Sequence, residues 1–478
     1  MNIDLEKPMT HLTENKEDRY RPKYHMTPPV GLLNDPNGFI YFKGKYHVFY
    51  QWNPFKTDHS TKYWGHFTSG NLYEWHHETS VLAPEDWFDH SGCYSGSAIE
   101  NKGNLIAFYT GNVKNEKGER ETYQCMATSK DGMSLDKKGP ILHLPDNYTA
   151  HFRDPKVWKK GSTWYMIVGT QTKEEEGMVA FFSSENLTDW EHHGPIAGSY
   201  MNGLDYFGYM WECPDLFSLS GQDILIVSPQ GLEAKGDKYN NLFQSGYFIG
   251  EMNYEDQTFS HGTFTELDRG FDFYAPQTTI GSNGKRLLVA WMGMPDEDEK
   301  NHPTIDNCWI HGMTIPRELS IMEDKLYQKP VEEMTCLRTK EVRHNKVSIS
   351  TDFHEFDGIS GNSIEMVIDI LSKDYEVFNM RVSDAIQVSY DSSTNIFSLT
   401  RRKYHSEIDE VRECILEDLS SLNIFIDVST IEIFINGGQE VFSARYFTDN
   451  KDSSVLFSCE GELSLKITKW DMKNSIIF

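Results

Sequence analysis

"NDPNGFIYFKGKYHVFYQW", residues 34–52, runs from a turn-forming start through an apolar stretch and a Lys-Gly-Lys turn into a second strand rich in aromatic and β-branched residues. Asn, Asp, Pro and Gly each favour turns, so the opening taken alone marks only a turn. Recurrence gives it weight. "SGSAIENKGNLIAFYTG" begins at Ser95, "RDPKVWKKGSTWYMIVGT" at Arg153, "ECPDLFSLSGQDILIVSPQ" at Glu212 and "YAPQTTIGSNGKRLLVAWMG" at Tyr274. The period is about 60 residues, and self-similarity at a fixed period is the signature of a repeat architecture. Each copy reads as a hairpin. Between copies lie further strands, "HFTSGNLYEWHHE" (66–78) and "FFSSENLTDWEHHGP" (181–195), which resemble each other and read as outer strands of the same unit. Five units of four short antiparallel strands, none able to bury its faces alone, describe a β-propeller. The fold class expected is all-β, a five-bladed β-propeller followed by a C-terminal β-sandwich.

The expected boundaries follow the pattern. Residues 1–22 form an N-terminal extension, and the propeller occupies 23–321, ending near "HGMTIPRELSI". Residues 322–346 connect, with "VEEMTCLRTKEV" (331–342) read as a short helix. Alternation returns over 347–478, where "LNIFIDVSTIEIFINGGQEVFSARYF" (422–447) reads as two strands joined at the Asn-Gly-Gly of 436–438. This is the sandwich.

Totals exclude several function classes. The chain has 478 residues with 72 acidic against 45 basic side chains, a formal net charge of −27. So acidic a surface repels nucleic acid and anionic membranes, and neither is an expected partner. Seven scattered Cys with no CxxC form neither a disulfide framework nor a zinc pattern. The polar first 20 residues contain no apolar export segment, and no stretch approaches a membrane span, so the expected location is cytoplasmic. There is no Walker motif, no GxGxxG on a strand–helix unit and no GxSxG. "EWHHE" (74–78) and "WEHHGP" (190–195) look metal-like, but they recur at matching places and read as outer-strand surface. No metal and no cofactor is expected.

In a propeller the innermost strands converge on a central funnel. Asp35, Asp154 and Glu212 are expected at equivalent places in the first, third and fourth copies, with Tyr94 and Ser95 in the second and Tyr274 in the fifth. Two carboxyl groups across a glycosidic bond can split it, one protonating the leaving oxygen and the other attacking or activating water. Glu212, between Trp211 and Cys213, is expected in an apolar setting that keeps its proton. Asp35 is expected to be ionised, held by turn amides and Asn34. Asp154, beside Arg153, is expected to stay ionised and to bind sugar hydroxyls.

At these residues the chain resembles glycoside hydrolase family 32, the β-fructofuranosidases. The likeness runs through "NDPNG" (34–38), Gln51, "WGH" (64–66), "YSGS" (94–97), "RDP" (153–155), "EC" (212–213), "FYAPQ" (273–277) and "AWMG" (290–293). It implies a five-bladed propeller with a β-sandwich. It also implies a retaining mechanism with Asp35 as nucleophile, Glu212 as general acid/base and Asp154 as transition-state stabiliser. Asn34, Gln51, Trp64, Tyr94, Ser95, Arg153 and Trp291 would shape the fructose subsite. Leu32-Leu33 before NDPNG replaces the Trp-Met of many members, and Tyr94 replaces a Phe; both departures bear on subsite detail. The Leu pair, with the absence of an export segment, resembles the subgroup that acts on sucrose 6-phosphate. The expected products are glucose 6-phosphate and fructose. Lys56, His59 and Lys62 are candidates for the phosphate. The alternatives are an intracellular β-fructofuranosidase acting on sucrose or short fructo-oligosaccharides, an arabinanase-like relative, and a non-catalytic sugar-binding propeller.

Overall fold

A computed structural model describes residues 18–296, 298–372, 374–404, 406, 408–448 and 453–478. Residues 1–17 of the expected N-terminal extension lie outside these. The rest of it is described: Asp18 accepts hydrogen bonds from Asn307 and Trp309, and the Arg21 guanidinium stacks over Trp309.

The chain is all-β. Residues 31–330 build five propeller-like sheets whose strands follow one another antiparallel in chain order. Their first strands are Gly31–Phe42, Cys93–Asn101, Tyr148–Lys160, Met210–Leu219 and Tyr274–Ile280. These first strands touch in the order first, second, third, fourth, fifth, and the fifth touches the first. The second strands, such as Asn104–Lys114 and Arg286–Met292, are buried over nearly their whole length. The reason is their period of two. Ala107 packs into the core between the first and second sheets, whereas Phe108 packs between the second and third. Val168 and Ile167 likewise divide between the cores on either side of the third sheet, as do Leu225 and Ile226 around the fourth. A strand covered on both faces reads as a continuous apolar run, which is what "LIAFY", "MIVG" and "LLVAW" show.

The segment expected to be a connection is mostly paired strand. Lys325–Pro330 completes the fifth sheet against Arg317–Met322, and Arg338–Ile349 already belongs to the C-terminal part, paired with Leu463–Met472. Between them the expected helix is a six-residue 3-10 turn, Glu332–Leu337. Past it "VEEMTCLRTKEV" continues as strand, with Arg338 and Thr339 paired to Met472 and Asp471.

Residues from 338 onward form two six-stranded sandwich-like sheets around one apolar core that includes Phe378, Leu399, Ile424, Phe442 and Phe457. The stretch 422–447, expected as two strands, holds three: Ser421–Asp427, Thr430–Ile435 and Glu440–Arg445. The additional turn uses Val428 at φ +58°. A β-branched residue in that region carries no turn signal in sequence. The turn is held by Asp427, whose buried carboxylate accepts the backbone N–H groups of Lys23, Tyr24 and His25.

The two parts share a core. Tyr50, Phe67 and Trp291 belong to one apolar cluster with Phe425, Phe434 and Val441 of the sandwich-like part. The C-terminal Ile476–Ile477 adds a parallel strand to Trp75–His76 of the first sheet. Among the described residues no helix is long and apolar enough to cross a membrane.

Candidate active site

Pairing slips at one equivalent place in every inner strand. The irregularities fall between Leu33 and Pro36, Cys93 and Gly96, Arg153 and Lys156, Glu212 and Asp215, and Tyr274 and Gln277. Pro36, Pro155, Pro214 and Pro276 lie in or beside four of these bulges, and Gly96 in the fifth. Proline has no N–H to give a ladder, so inside a sheet it is confined to such interruptions. The repeated x-Pro of the sequence is therefore the bulge itself.

A bulge lets consecutive residues of one strand face the same side. Asn34 and Asp35 both line a single cavity of about 310 Å³, as do Arg153 and Asp154. Counted back from the bulge proline, Asp35 and Asp154 are equivalent, but Glu212 stands one residue earlier. It shares the place of Asn34, Tyr94, Arg153 and Tyr274, and all five line the cavity. The expected equivalence of the three acids is thus off by one for Glu212, although all three reach the same cavity. Asp154, Cys213 and Ala275, each before its proline, take left-handed φ of +65°, +48° and +50°. Strained backbone of this kind concentrates at functional sites.

Asp35 is held on both oxygens. Its Oδ2 accepts from Ser95 Oγ at 2.6 Å and Gln51 Nε2 at 3.0 Å, and its Oδ1 from Asn34 Nδ2 at 3.2 Å. Lys62 sets the orientation of that amide: its Nζ can only donate and lies 2.5 Å from Asn34 Oδ1, which leaves the Asn34 NH₂ for Asp35. Lys62 also meets His59 Nδ1 at 2.7 Å, and His59 Nε2 meets Glu299.

Glu212 is surrounded by donors, not by the apolar setting expected from its neighbours. Its Oε1 accepts from Arg153 Nε at 2.8 Å and Nη2 at 2.6 Å. Its Oε2 accepts from Tyr274 OH at 2.7 Å and Gln230 Nε2 at 2.8 Å. Trp211 points the other way, into the core between the third and fourth sheets. Asp154, expected to lean on Arg153, instead accepts the backbone N–H of Cys213 at 3.1 Å, with the Cys213 thiol at 3.6 Å. Adjacent residues do not share partners here because the Arg153 guanidinium reaches the next inner strand.

The electrostatics follow. Burial, then the charge of Glu212, raises the Asp35 carboxyl against the opposing pull of Ser95, Lys62 and Asn34. Burial and Glu212 carry Asp154 to about 7, with Arg153 opposing. The expectation that hydrogen bonds keep Asp35 ionised, and the neighbouring Arg153 charge Asp154, gives way to burial, the larger effect for both. Burial and mutual repulsion thus favour protonation at Asp35 and Asp154 relative to isolated carboxyls. Burial also lowers Lys62 to about 8.

Of the remaining expected residues, Gln51, Tyr94 and Trp291 line the cavity. Ser95 is buried behind Asp35. Trp64 does not reach the cavity: it is fully buried, stacks on Phe49 and donates its indole N–H to the Tyr94 carbonyl at 3.0 Å, steadying the second bulge. Lys56 is exposed and also lies off the cavity. His76–His77 and His192–His193 sit on fourth strands, and His77 bonds the Tyr50 hydroxyl. Sequence reasoning missed Gln230, Phe243, Arg120 and His151. The first two come from second and third strands of the fourth sheet or the loop between them, and the others from outside the repeated motif.

Comparison with known proteins identifies the family. The family model for the glycosyl hydrolases family 32 N-terminal domain matches residues 25–330, and that for the family 32 C terminal matches 333–471. The chain is 49% identical over 458 residues to the sucrose-6-phosphate hydrolase of Bacillus subtilis, covering 95% of each. It is 43% identical to that of Salmonella typhimurium, covering 94% of this chain and 91% of the relative. Among solved structures, the Bombyx mori family 32 β-fructofuranosidase superposes with a TM-score of 0.86 at 34% identity, covering 98% of this chain and 97% of that one. The sucrose-6-phosphate hydrolase of Lactobacillus gasseri superposes with a TM-score of 0.87 at 29% identity, covering 98% and 96%.

Proposed function

Because the chain belongs to glycosyl hydrolase family 32, we propose that it hydrolyses the β-fructofuranosyl linkage of sucrose 6-phosphate to glucose 6-phosphate and fructose, with retention at the anomeric carbon. The observation that carries this reading is the meeting of Asp35, Asp154 and Glu212 at one cavity, each with its own set of donors. Full-length likeness to sucrose-6-phosphate hydrolases supports the choice of substrate.

In the first step an Asp35 oxygen attacks C2 of the fructosyl unit while Glu212 gives a proton to the departing glucosyl oxygen. The C2–O bond to glucose breaks, and glucose 6-phosphate leaves with that proton. In the second step Glu212 takes a proton from water, whose oxygen attacks C2 and frees Asp35. Asp154 faces the ketose ring as an acceptor for its hydroxyls and as a negative charge beside the developing oxocarbenium ion. Asn34, Gln51, Tyr94, Arg153 and Trp291 shape the fructose subsite, while Ser95 and Trp64 act by positioning. The five propeller-like sheets serve as blades of one closed wheel, a reading supported by the cycle of contacts among their first strands. On this reading the enzyme works in the cytoplasm, since a phosphorylated disaccharide does not cross membranes unaided.

The test is a comparison of kcat/KM on sucrose 6-phosphate and on sucrose. A preference of at least tenfold for the phosphorylated sugar is expected. Equal efficiency would move the assignment to a β-fructofuranosidase acting on free sucrose.

A further inference from the structure

A dianionic substrate approaches a protein whose formal net charge is −27, so its phosphate must find a local cation that the rest of the molecule has not neutralised. Three cationic side chains line the cavity: Lys62, Arg153 and Arg120. Lys62 is occupied by Asn34 and His59, and Arg153 is paired twice with Glu212. Arg120 differs. It opens the strand Arg120–Ser129, directly after the tight loop at 115–119, and is half-buried with its guanidinium 5.9 Å from the Tyr94 ring centre. Among the described residues it has no carboxylate partner.

His151 stands in the same neighbourhood. Its Nδ1 lies 2.8 Å from Arg153 Nη1, which can only donate, so the neutral ring carries its proton on Nε2. That N–H has no partner among the described residues. Burial, then the charges of Arg153 and Arg120, lower His151 to about 4, which keeps the ring neutral until an anion arrives. His151 lies on the Glu212 side of the cavity, because Arg153 joins it to Glu212, and Arg120 is near enough for its charge to act on His151. This is the side of the leaving group, since Glu212 must reach the glycosidic oxygen.

We infer that Arg120, assisted by the Nε2–H of His151, receives the phosphate on the glucosyl unit and so sets the preference for the phosphorylated sugar. The inference rests on the proposed substrate. A guanidinium presents a planar fork that matches two phosphate oxygens, a geometry an ammonium cannot copy. Lys56, His59 and Lys62 are therefore not the phosphate site: Lys56 is off the cavity, and the other two are engaged with each other and with Asn34 and Glu299.

The experiment measures, for wild type, Arg120→Gln, Arg120→Lys and the off-cavity control Lys56→Gln, the ratio of kcat/KM on sucrose 6-phosphate to that on sucrose. Loss of a charge-assisted pair should lower this ratio about tenfold to hundredfold in Arg120→Gln, chiefly through KM, with Arg120→Lys in between and Lys56→Gln at the wild-type ratio. Inhibition of sucrose hydrolysis by glucose 6-phosphate should weaken in step. A ratio in Arg120→Gln within twofold of wild type, or an equal fall in Lys56→Gln, overturns the assignment. A wild-type ratio near one overturns the substrate reading itself, and the phosphate site with it.

Discussion

Asp154 combines two costs at one residue: a left-handed backbone at φ +65° and a carboxyl buried beside two other acids. Asn tolerates that backbone as well as Asp does, so Asp154→Asn isolates the charge. An acid whose folded pKa is raised is favoured in its neutral form. Its stabilising contribution is complete below the unfolded value near 3.8 and is lost as pH rises through about 7. Asp154→Asn should therefore raise stability most above pH 7, on the order of 2 kcal/mol, and very little near pH 4, while activity collapses. Thermal melts of the two proteins across pH 4–8 read this directly. Asp35→Asn should lower kcat by at least about a thousandfold, because an amide cannot form the acyl-type bond to C2, while the melting temperature stays within a few degrees. Steady-state kinetics with calorimetry separate the two effects.

At the scale of the element, the bulge is the unit that evolution repeats in this chain, and it explains what could be read beforehand. The recurrence of turn-like starts about every 60 residues is legible as a string, and it brings Asp35, Asp154 and Glu212 to one cavity. The direction of each side chain was not visible, since a register slip decides whether one residue or two face the funnel. That is why the place of Glu212 differs by one position from the expectation, and why Arg153 meets Glu212 and not its neighbour Asp154. Arg120 and His151 escape a reading of the repeat for a different reason: both lie outside the repeated motif, although His151 shares the inner strand Tyr148–Lys160 with Arg153. The second copy has Gly96 where others have proline, and a Cβ there would lie 1.8 Å from the Phe108 carbonyl oxygen. Gly96→Ala should destabilise the protein by about 3 kcal/mol and, by moving Ser95, slow catalysis in the folded fraction. Denaturant unfolding with a parallel rate assay checks both.

Across the whole molecule, the propeller-like and sandwich-like parts are joined by buried ion pairs as well as by apolar contact. Arg317, fully buried in the fifth sheet, bonds Glu432 of the other part and Asp268. Arg317→Met would leave Asp268 without its cation and Glu432 with His25 alone, and should cost about 3–5 kcal/mol. His25 lies between Asp427 and Glu432. Burial pulls its pKa down, but the two carboxylates outweigh this and carry it to about 9. Its stabilisation is complete below 6.5 and is lost as pH rises through 9. Melting temperature should therefore fall between pH 6.5 and 9, and His25→Gln should flatten that slope.

A double displacement through Asp35 fixes the configuration of the product. When methanol competes with water for the intermediate formed from sucrose 6-phosphate, NMR of the new glycoside reports which face of C2 was attacked. Two successive inversions predict methyl β-fructofuranoside, the configuration of the substrate. Methyl α-fructofuranoside would mean one direct displacement, and Asp35 could not then be the nucleophile.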